Sequence, residues 1–354
     1  MKGAGVSGLG RSGRGTGIPD RVRLVTAGTV VEVLDSTRRQ LPALTRSAGL
    51  GATTLTPPQG VPDVVVDVEA ETSPFNTAGH QPVTRGVTAG DGRVVLRSVG
   101  GSGFDQAWRV EGDRLEVHAR WSPGVLERGA SAVRSRHDAL RAQVLLHYPA
   151  LWWAGTRGLA PLHVSVLELD DVVVLLAGPG GVGKSTLVSG ALADGATASC
   201  DNVAVSDGLY AYGLREALRL TATEGTTREG RGTTHGRRQL PWSSQVPRLR
   251  PDLVVVVRRG DGPVVRPVDP EVARRTLVAG TYAAGELRRF WPLTAVVGLA
   301  TGVGPVHPDV EGTARALTDR LPCLELELGA EPGPSLREML ATELAAARSA
   351  GAAR

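Results

Sequence analysis

The stretch LLAGPGGVGKSTLVSGAL, residues 175–192, decides how the second half of this chain folds. An apolar run, VVVLLA, leads into its glycines and predicts a buried strand, whereas STLVSGAL after them predicts a helix. Between the two elements, residues 178–185 read GPGGVGKS and match the P-loop pattern GxxxxGK[ST] at every fixed position. The stretch therefore predicts a strand, a phosphate-binding loop and a helix, in that order.

Each residue type in this loop has a chemical reason. Glycines allow backbone N–H groups to converge on phosphate oxygens, and the helix N-terminus adds the positive end of its dipole. We expect the Lys184 ammonium to reach the β- and γ-phosphates of ATP and the Ser185 hydroxyl to hold Mg²⁺. The predicted nucleotide-binding residues are Gly178, Gly180, Gly181, Val182, Gly183, Lys184, Ser185 and Thr186.

The use of lysine supports a functional reading of this loop. Lysine and arginine together number 40, yet only Lys2 and Lys184 are lysines. This bias, with the excess of Ala, Gly and Val, is typical of a GC-rich bacterial genome, in which arginine replaces lysine wherever it serves. A loop that needs a compact ammonium, and not a planar guanidinium, explains why Lys184 persists.

The sequence lacks the marks of several other P-loop classes. The best candidate for an apolar strand ending in acidic residues, residues 253–257, runs into Arg258 and Arg259 instead. Neither the LSGGQ signature of ABC ATPases nor the NKxD motif of GTPases occurs. The ordinary motor and switch classes are therefore less favoured.

The segments around the loop resemble the catalytic domain of the HPr kinase/phosphorylase family. Residues 161–187 place His163 one strand before the loop, and residues 192–205 place the pair Asp201-Asn202 after the helix. The resemblance covers residues 160–220. From there to about residue 330 it is limited to composition and the order of the secondary-structure elements. It implies a phosphoenolpyruvate-carboxykinase-like P-loop kinase that transfers the γ-phosphoryl group of ATP to a Ser or related hydroxyl. Some relatives modify peptide natural products.

The resemblance also suggests catalytic roles. Asp201 can accept the proton of the attacking hydroxyl, while Lys184 and Mg²⁺ absorb the charge on the leaving phosphate. His163 either contacts the phosphate or positions Asp201; the alternative is an ordinary core histidine. The family's acidic pair is Asp-Asp, but here it is Asp201-Asn202, and asparagine can bind a metal but cannot act as a base. The predicted metal ligands are Ser185 and Asn202.

Two basic segments can supply a cation for the transferring phosphoryl group. One carries Arg215 and Arg219, and the other carries Arg237 and Arg238, which we name as the catalytic candidates. Residues 221–245, rich in Gly, Thr and Arg, are predicted to form a mobile loop that closes over the substrate. Solvated loop charges are the alternative interpretation for each of these arginines.

The predicted fold class is α/β (α+β), with a P-loop domain of HPr-kinase-like architecture after a mostly β N-terminal region. Residues 63–71 and 90–99 read as strands, and residues 107–121 read as a hairpin. Helical spacing follows Pro123. The predicted divisions are a flexible Gly-rich tail, a β-rich region, a linking helix and the P-loop domain with a helical C-terminus, at residues 1–20, 21–122, 123–160 and 161–354.

Composition argues against several partners. The net charge is +4 with dispersed arginines and no aromatic-basic stripe, so no nucleic-acid partner is expected. No apolar run approaches the roughly 20 residues of a membrane helix, and the N-terminus lacks the apolar segment of a signal peptide. The two cysteines, Cys200 and Cys323, suit a reducing compartment, so we expect a cytoplasmic protein that does not bind membranes.

Two functions from different classes remain open. The first is an ATP- and Mg²⁺-dependent kinase whose acceptor is a Ser/Thr of a protein or peptide, or a small-molecule hydroxyl. The second is an ATP-binding partner protein without transferase activity, which the Asp201-Asn202 departure favours. The resemblance also leaves phosphorolysis and a homo-oligomeric state open.

Overall fold

The computed structural model describes residues 20–50, 58–124, 134–221, 231–232, 237–242, 244–331 and 333–352. These residues combine helices with mixed sheets, as the α/β prediction requires. The predicted tail lies outside the described residues except for Asp20. Among the described helices, none has both the length and the apolar character needed to span a bilayer.

The N-terminal region, residues 21–122, forms a twisted sheet. Its strands are β1 (Arg21–Thr26), β2 (Thr29–Asp35), β3 (Val64–Glu69), β4 (Gln81–Thr84), β5 (Val87–Gly90), β6 (Arg93–Leu96), β7 (Phe104–Glu111) and β8 (Arg114–Trp121), with helix α1 (Leu41–Ser47) after β2. The order is β1-β2-β3-β8-β7-β6-β5-β4, and all neighbours are antiparallel except β2–β3 and β3–β8. Strands β2 and β3 bury alternate residues, which leaves one face for the core. The predicted hairpin at residues 107–121 is confirmed.

A buried helical run follows this sheet. It comprises α2 (Arg134–Ala142), a π-helical turn (Gln143–His147) and α3 (Tyr148–Thr156). Trp152 of α3 meets Trp108 of β7 edge-on, with ring centroids 5.7 Å apart. The Gln106 amide donates to the Val144 carbonyl over 2.8 Å. Helical structure therefore occupies residues 134–156 of the segment predicted as the linking helix, while residues 125–133 lie outside the described part.

The remaining chain builds three further sheets and a set of helices. The helices are α4 (Lys184–Ala193), α5 (Pro270–Ala283), α6 (Phe290–Thr301), α7 (Val310–Arg320), α8 (Leu336–Met339) and α9 (Ala341–Ala352). The strands are β9 (Ala160–Leu162), β10 (Val164–Leu169), β11 (Val172–Ala177), β12 (Thr197–Cys200), β13 (Ala204–Ser206), β14 (Ala211–Gly213), β15 (Leu218–Thr221), β16 (Arg231–Gly232), β17 (Arg237–Leu240), β18 (Arg248–Leu249), β19 (Leu253–Arg259), β20 (Val264–Pro267) and β21 (Cys323–Leu328).

The central sheet has the order β12-β10-β11-β19-β21-β20. The sequence predicts two strands joined by a tight turn at Asp170 and Asp171, and β10 and β11 form this hairpin; the φ angles of the two aspartates, 50° and 64°, suit a two-residue turn. Strand β11 pairs in parallel with β19, and β19 in parallel with β21. The two smaller sheets run β18-β14-β13-β9 and β15-β17-β16.

Local signals fixed the helix starts correctly. The Asp269 side chain accepts from the Glu271 N–H and Pro270 follows it, while Asp309 accepts from the Gly312 N–H. The sequence predicts helices that begin at Asp269 with Pro270 and at Asp309, and both caps confirm these N-termini.

Several predicted elements were wrong in extent. The sequence of residues 269–290 predicts one helix, but α5 ends at Ala283, so Arg288 and Arg289 do not lie on it, and α6 was not predicted. The sequence of residues 196–208 predicts one strand and a turn, but the chain forms two strands there, β12 and β13, in different sheets. Residues 221–245 are not a loop throughout, because among their described residues β16 and β17 form strands, and β17 pairs with β15 on one side and β16 on the other. The C-terminal helix is interrupted at Leu340.

Candidate functional site

The glycine-rich loop, residues 178–183, joins β11 to α4 as the sequence predicts. Gly178, Gly181 and Gly183 have φ angles of 149°, 83° and 120°, where a side chain is strained. A Cβ on Gly178 would also lie 2.7 Å from the Val257 carbonyl oxygen. The Val182 side chain is buried in the core beneath the loop. Glycines thus shape the loop, and Val182 anchors it.

Lys184 begins α4 and is only 6% exposed. Its ammonium donates to the Gly178 carbonyl over 2.7 Å and to the Pro179 carbonyl over 3.2 Å. Burial lowers the pKa of Lys184 to about 8, although Asp201 and Glu286 act in the opposite direction. A bound polyanion would favour the charged form, because nearby negative charge raises the pKa of an ammonium.

A cleft of about 190 Å³ opens beside this loop. Its lining brings together most of the predicted site residues: His163, Gly180, Gly181, Gly183, Lys184, Ser185, Thr186, Asp201 and Asn202. Its other wall is formed by Arg219 with Leu220 and by residues 283–286 at the end of α5; the sequence pointed to the segment of Arg219 but not to residues 283–286. Among the described residues, Arg238 does not line the cleft, and the side chain of Arg237 lies outside the description. The structure thus brings Arg219, and not Arg238, into the cleft.

Asp201 lies where the chain leaves the central sheet after β12 and enters the smaller sheet at β13. The side chain is 3% exposed, and its Oδ1 has no hydrogen-bond partner among the described residues. Burial raises the pKa of Asp201 from 3.8 to about 7, and the Glu216 carboxylate adds to this effect. Ser185, Arg219 and Lys184 act to lower it. A carboxyl group with this pKa can accept a proton near neutral pH.

His163 is placed against Asn202. Its Nε2 lies 3.0 Å from Asn202 Oδ1, and its backbone N–H donates to Thr281 Oγ1 over 3.0 Å. Burial lowers the pKa of His163 to about 4, and the charge of Lys184 adds to this effect. The ring is therefore neutral near pH 7 and donates its Nε2 proton to the amide oxygen. Of the two predicted roles, this geometry favours positioning, with Asn202 as the partner.

Two charged residues of the cleft wall, the partly buried Arg219 and Glu286, form a cluster with the buried Glu216 behind them. Arg219 pairs with Glu216, and its Nη1 lies 3.0 Å from Glu286 Oε1. Burial raises the pKa of Glu216. Burial also acts to raise the pKa of Glu286, but the net shift is downward because Arg219 and other neighbours favour the charged form. Arg219 lies in a segment that the sequence singled out, whereas no sequence signal pointed to Glu286.

The N-terminal region holds the segment that carries Glu216 and Arg219. The Arg215 N–H donates to Thr26 Oγ1 over 2.8 Å, and the Ala217 N–H donates to the Ser47 carbonyl over 2.9 Å. The linking helix contributes as well, because His147 Nε2 lies 3.2 Å from the Arg215 carbonyl oxygen. The N-terminal region therefore shapes one wall of the cleft.

The cleft explains why asparagine suits position 202. The pKa of Glu216 is raised by burial and that of Glu286 is lowered, with Arg219 opposing burial in both; the Asn202 amide acts in the same direction as Arg219 and so favours both charged forms. The Glu216 carboxylate already acts to raise the pKa of Asp201, after the larger effect of burial. An aspartate at position 202 would add another negative charge to this group, which like-charge repulsion opposes.

Asn202→Asp is therefore expected to raise the pKa of Asp201 above its value of about 7. The measurement is a ¹³C NMR titration of the carboxyl carbons, with the Asp201 signal assigned by its loss in Asp201→Asn. Asn76→Asp, an exposed change in the N-terminal region, is the control and should leave that pKa unchanged. An unchanged or lower pKa in Asn202→Asp would contradict the crowding of carboxylates.

The donor set of the cleft suits a hard divalent cation. Mg²⁺ prefers oxygen ligands, and the cleft offers the Ser185 hydroxyl, the amide oxygen of Asn202 and the unpartnered Oδ1 of Asp201. A carbonyl oxygen has two lone pairs, so the bond from His163 leaves Asn202 able to accept a second contact. The predicted ligands Ser185 and Asn202 thus lie in one cleft.

Comparison with protein-family models gives no match, and comparison with curated proteins gives none either. Among solved structures, the chain is similar to the Hpr(Ser) kinase/phosphatase from Coxiella burnetii. The sequence identity is 13%, the match covers 55% of this chain and 93% of that chain, and the TM-score is 0.28.

Proposed function

We propose that this protein is a kinase that transfers the γ-phosphoryl group of Mg²⁺-ATP to a hydroxyl group. The acceptor is a Ser/Thr of a protein or peptide, or a small-molecule hydroxyl. One observation carries the proposal: the buried Asp201, with a pKa near neutral, shares a cleft with the glycine-rich loop and its ammonium Lys184. A proton acceptor and a phosphate-binding group are the two things that such a transfer needs.

The chemistry follows from the placement of these groups. The acceptor hydroxyl gives its proton to the Asp201 carboxylate, and its oxygen forms a bond to the γ-phosphorus. The bond from the γ-phosphorus to the β–γ bridging oxygen breaks, and its electron pair leaves with ADP. Lys184 and the loop amides stabilise the charge that grows on ADP. Arg219 lines the same cleft and can contact the transferring group.

Mg²⁺, held by Ser185 and Asn202, would neutralise part of the phosphate charge. His163 fixes the Asn202 amide through the 3.0 Å contact with Oδ1. The neutral imidazole adds no positive charge to the cleft, so it acts on the orientation of Asn202.

The alternative is an ATP-binding partner protein that does not transfer the phosphoryl group. Two observations favour it. Position 202 is an asparagine, and the guanidinium of Arg219 is already engaged by the carboxylates of Glu216 and Glu286. An arginine whose positive charge is balanced by neighbouring carboxylates attracts a phosphate group less strongly than an arginine without such partners.

A two-step experiment separates the functions. Calorimetry with Mg²⁺-ATP first tests binding, and both functions require a measurable heat of association. Incubation with ATP and a library of Ser/Thr peptides and polyols then tests transfer, with mass spectrometry of the products. A phosphorylated product that depends on the protein supports the kinase. Binding without transfer to the library or hydrolysis supports the partner protein, and absence of binding would overturn both.

A further inference from the structure

Several strands of the central sheet end at the same edge, where the glycine-rich loop lies. Strand β11 pairs with β19 in parallel, with Ala177 opposite Val256, so β19 ends at the same edge as the glycine-rich loop. Strand β21 ends there too, because it is parallel to β19 with Leu328 opposite Arg259. Asp201 follows β12 on the other side of the loop. The loop therefore lies between Asp201 on one side and Arg259 with Leu328 on the other.

Arg259 and Leu328 both approach the loop at Gly183. A Cβ built on Gly183 would lie 3.2 Å from Cδ1 of Leu328 and 3.4 Å from Nη2 of Arg259. Nη1 of Arg259 donates to the Gly329 carbonyl over 2.8 Å, which fixes the plane of the guanidinium. The preceding residue, Arg258, pairs instead with Glu325, with Nε 2.9 Å from Oε2. Alternation along β19 thus directs the two arginines to opposite faces.

This arrangement gives a bound nucleotide a direction. On the proposed function, the γ-phosphate must lie near Asp201, where the acceptor hydroxyl loses its proton. The triphosphate is an extended chain, so its nucleoside end must leave the loop on the opposite side, over β19 and β21. There it meets an apolar side chain, Leu328, and a guanidinium plane, Arg259. Guanidinium planes stack on aromatic rings, and a nucleobase presents such a ring.

We infer that the nucleoside end of ATP binds across Gly183, against Leu328 and the guanidinium of Arg259. The inference rests on the proposed function, because it takes the direction of the triphosphate from Asp201. It assigns Arg259 to binding of the nucleoside, not to attraction of the phosphates. A basic residue thus follows the apolar strand at the position where other P-loop classes carry acidic residues.

Calorimetry with two ligands tests this assignment. Mg²⁺-ATP carries the nucleoside, whereas Mg²⁺-tripolyphosphate lacks it. Arg259→Ala is expected to lower the affinity for ATP by about fivefold or more, because a cation–π contact contributes a free energy of this size. The affinity for tripolyphosphate should be unchanged. Arg259→Lys keeps the charge but loses the plane, so it should weaken ATP as alanine does. The control, Arg258→Ala, removes the same charge from the other face and should change neither affinity.

Three results would overturn the inference while the proposed function stands. They are wild-type ATP affinity in Arg259→Ala, an equal loss for both ligands in that variant, and full recovery of ATP affinity in Arg259→Lys. If the wild-type protein shows no heat with ATP, the proposed function fails first and the inference fails with it. Both arginines are exposed, and circular dichroism spectra of the variants that match the wild type exclude misfolding.

Discussion

Asp201→Asn is expected to lower the rate of phosphoryl transfer by about 10²–10⁴-fold, the usual contribution of general base catalysis. Asparagine keeps the shape of the side chain but cannot accept the proton of the acceptor hydroxyl. Binding of Mg²⁺-ATP should be retained, because the change also removes a negative charge beside Lys184. Product formation by mass spectrometry and ATP binding by calorimetry measure the two effects separately.

The matched control for this change is Asp194→Asn. Asp194 is exposed at the end of α4, and its substitution should leave transfer and binding unchanged. Transfer at the wild-type rate in Asp201→Asn would show that another group takes the proton. Loss of transfer together with loss of ATP binding would show that Asp201 acts in nucleotide binding instead.

The pH dependence of stability gives a second readout for Asp201. Its pKa is about 7 in the folded protein and 3.8 for an ordinary aspartate, so the native state binds more protons between these values. The free energy of unfolding therefore falls as pH rises through this window. Asp201→Asn should lack this contribution, and its advantage in stability over the wild type should grow from about pH 4 to about pH 7.

The sequence predicted those features that local rules determine. The turn at Asp170-Asp171, the strand before the glycines and the helix after them follow from turn chemistry and apolar periodicity. Asp269 and Asp309 marked helix starts because a side chain that accepts from the first turn is a local device. The residues of the loop itself are contiguous in the chain, so a pattern was enough to find them.

The other wall of the cleft was not predictable because distant segments build it. Glu286 lies after a helix that seemed to continue, and only the fold brings it to Arg219. Glu216 is held through contacts of its neighbours with Thr26 and Ser47, far away in the chain. Such contacts leave no periodic trace in the sequence, since they depend on the packing of the N-terminal sheet.

Two misread segments have physical explanations. Residues 197–206 look like one strand because both halves are buried, although the chain changes sheets at Asp201 and Asn202. Residues 237–240 carry no apolar alternation, and their strand exists because β15 supplies a pairing partner, with Leu218 opposite Leu240. In both cases tertiary pairing overrides the local signal.

Lys184→Met is expected to lower phosphoryl transfer by about 10²–10³-fold, the cost of removing one charge-stabilising group from a transition state. It should also lower the affinity for Mg²⁺-ATP, since the ammonium is expected to contact the β- and γ-phosphates. Lys184→Arg keeps the charge but should not restore function. The site is 6% exposed and fits a compact ammonium between the Gly178 and Pro179 carbonyls. Calorimetry and product analysis measure both variants.

Without nucleotide, Lys184→Met is expected to be more stable than the wild type at neutral pH. The pKa of Lys184 is about 8 in the folded protein against an ordinary 10.5, so the unfolded chain binds more protons between these values. Wild-type stability therefore rises with pH through this window, and the advantage of the methionine variant should shrink there. Urea unfolding below and above the window measures it. Wild-type affinity for ATP in Lys184→Met, or recovery in Lys184→Arg, would contradict the role of the ammonium.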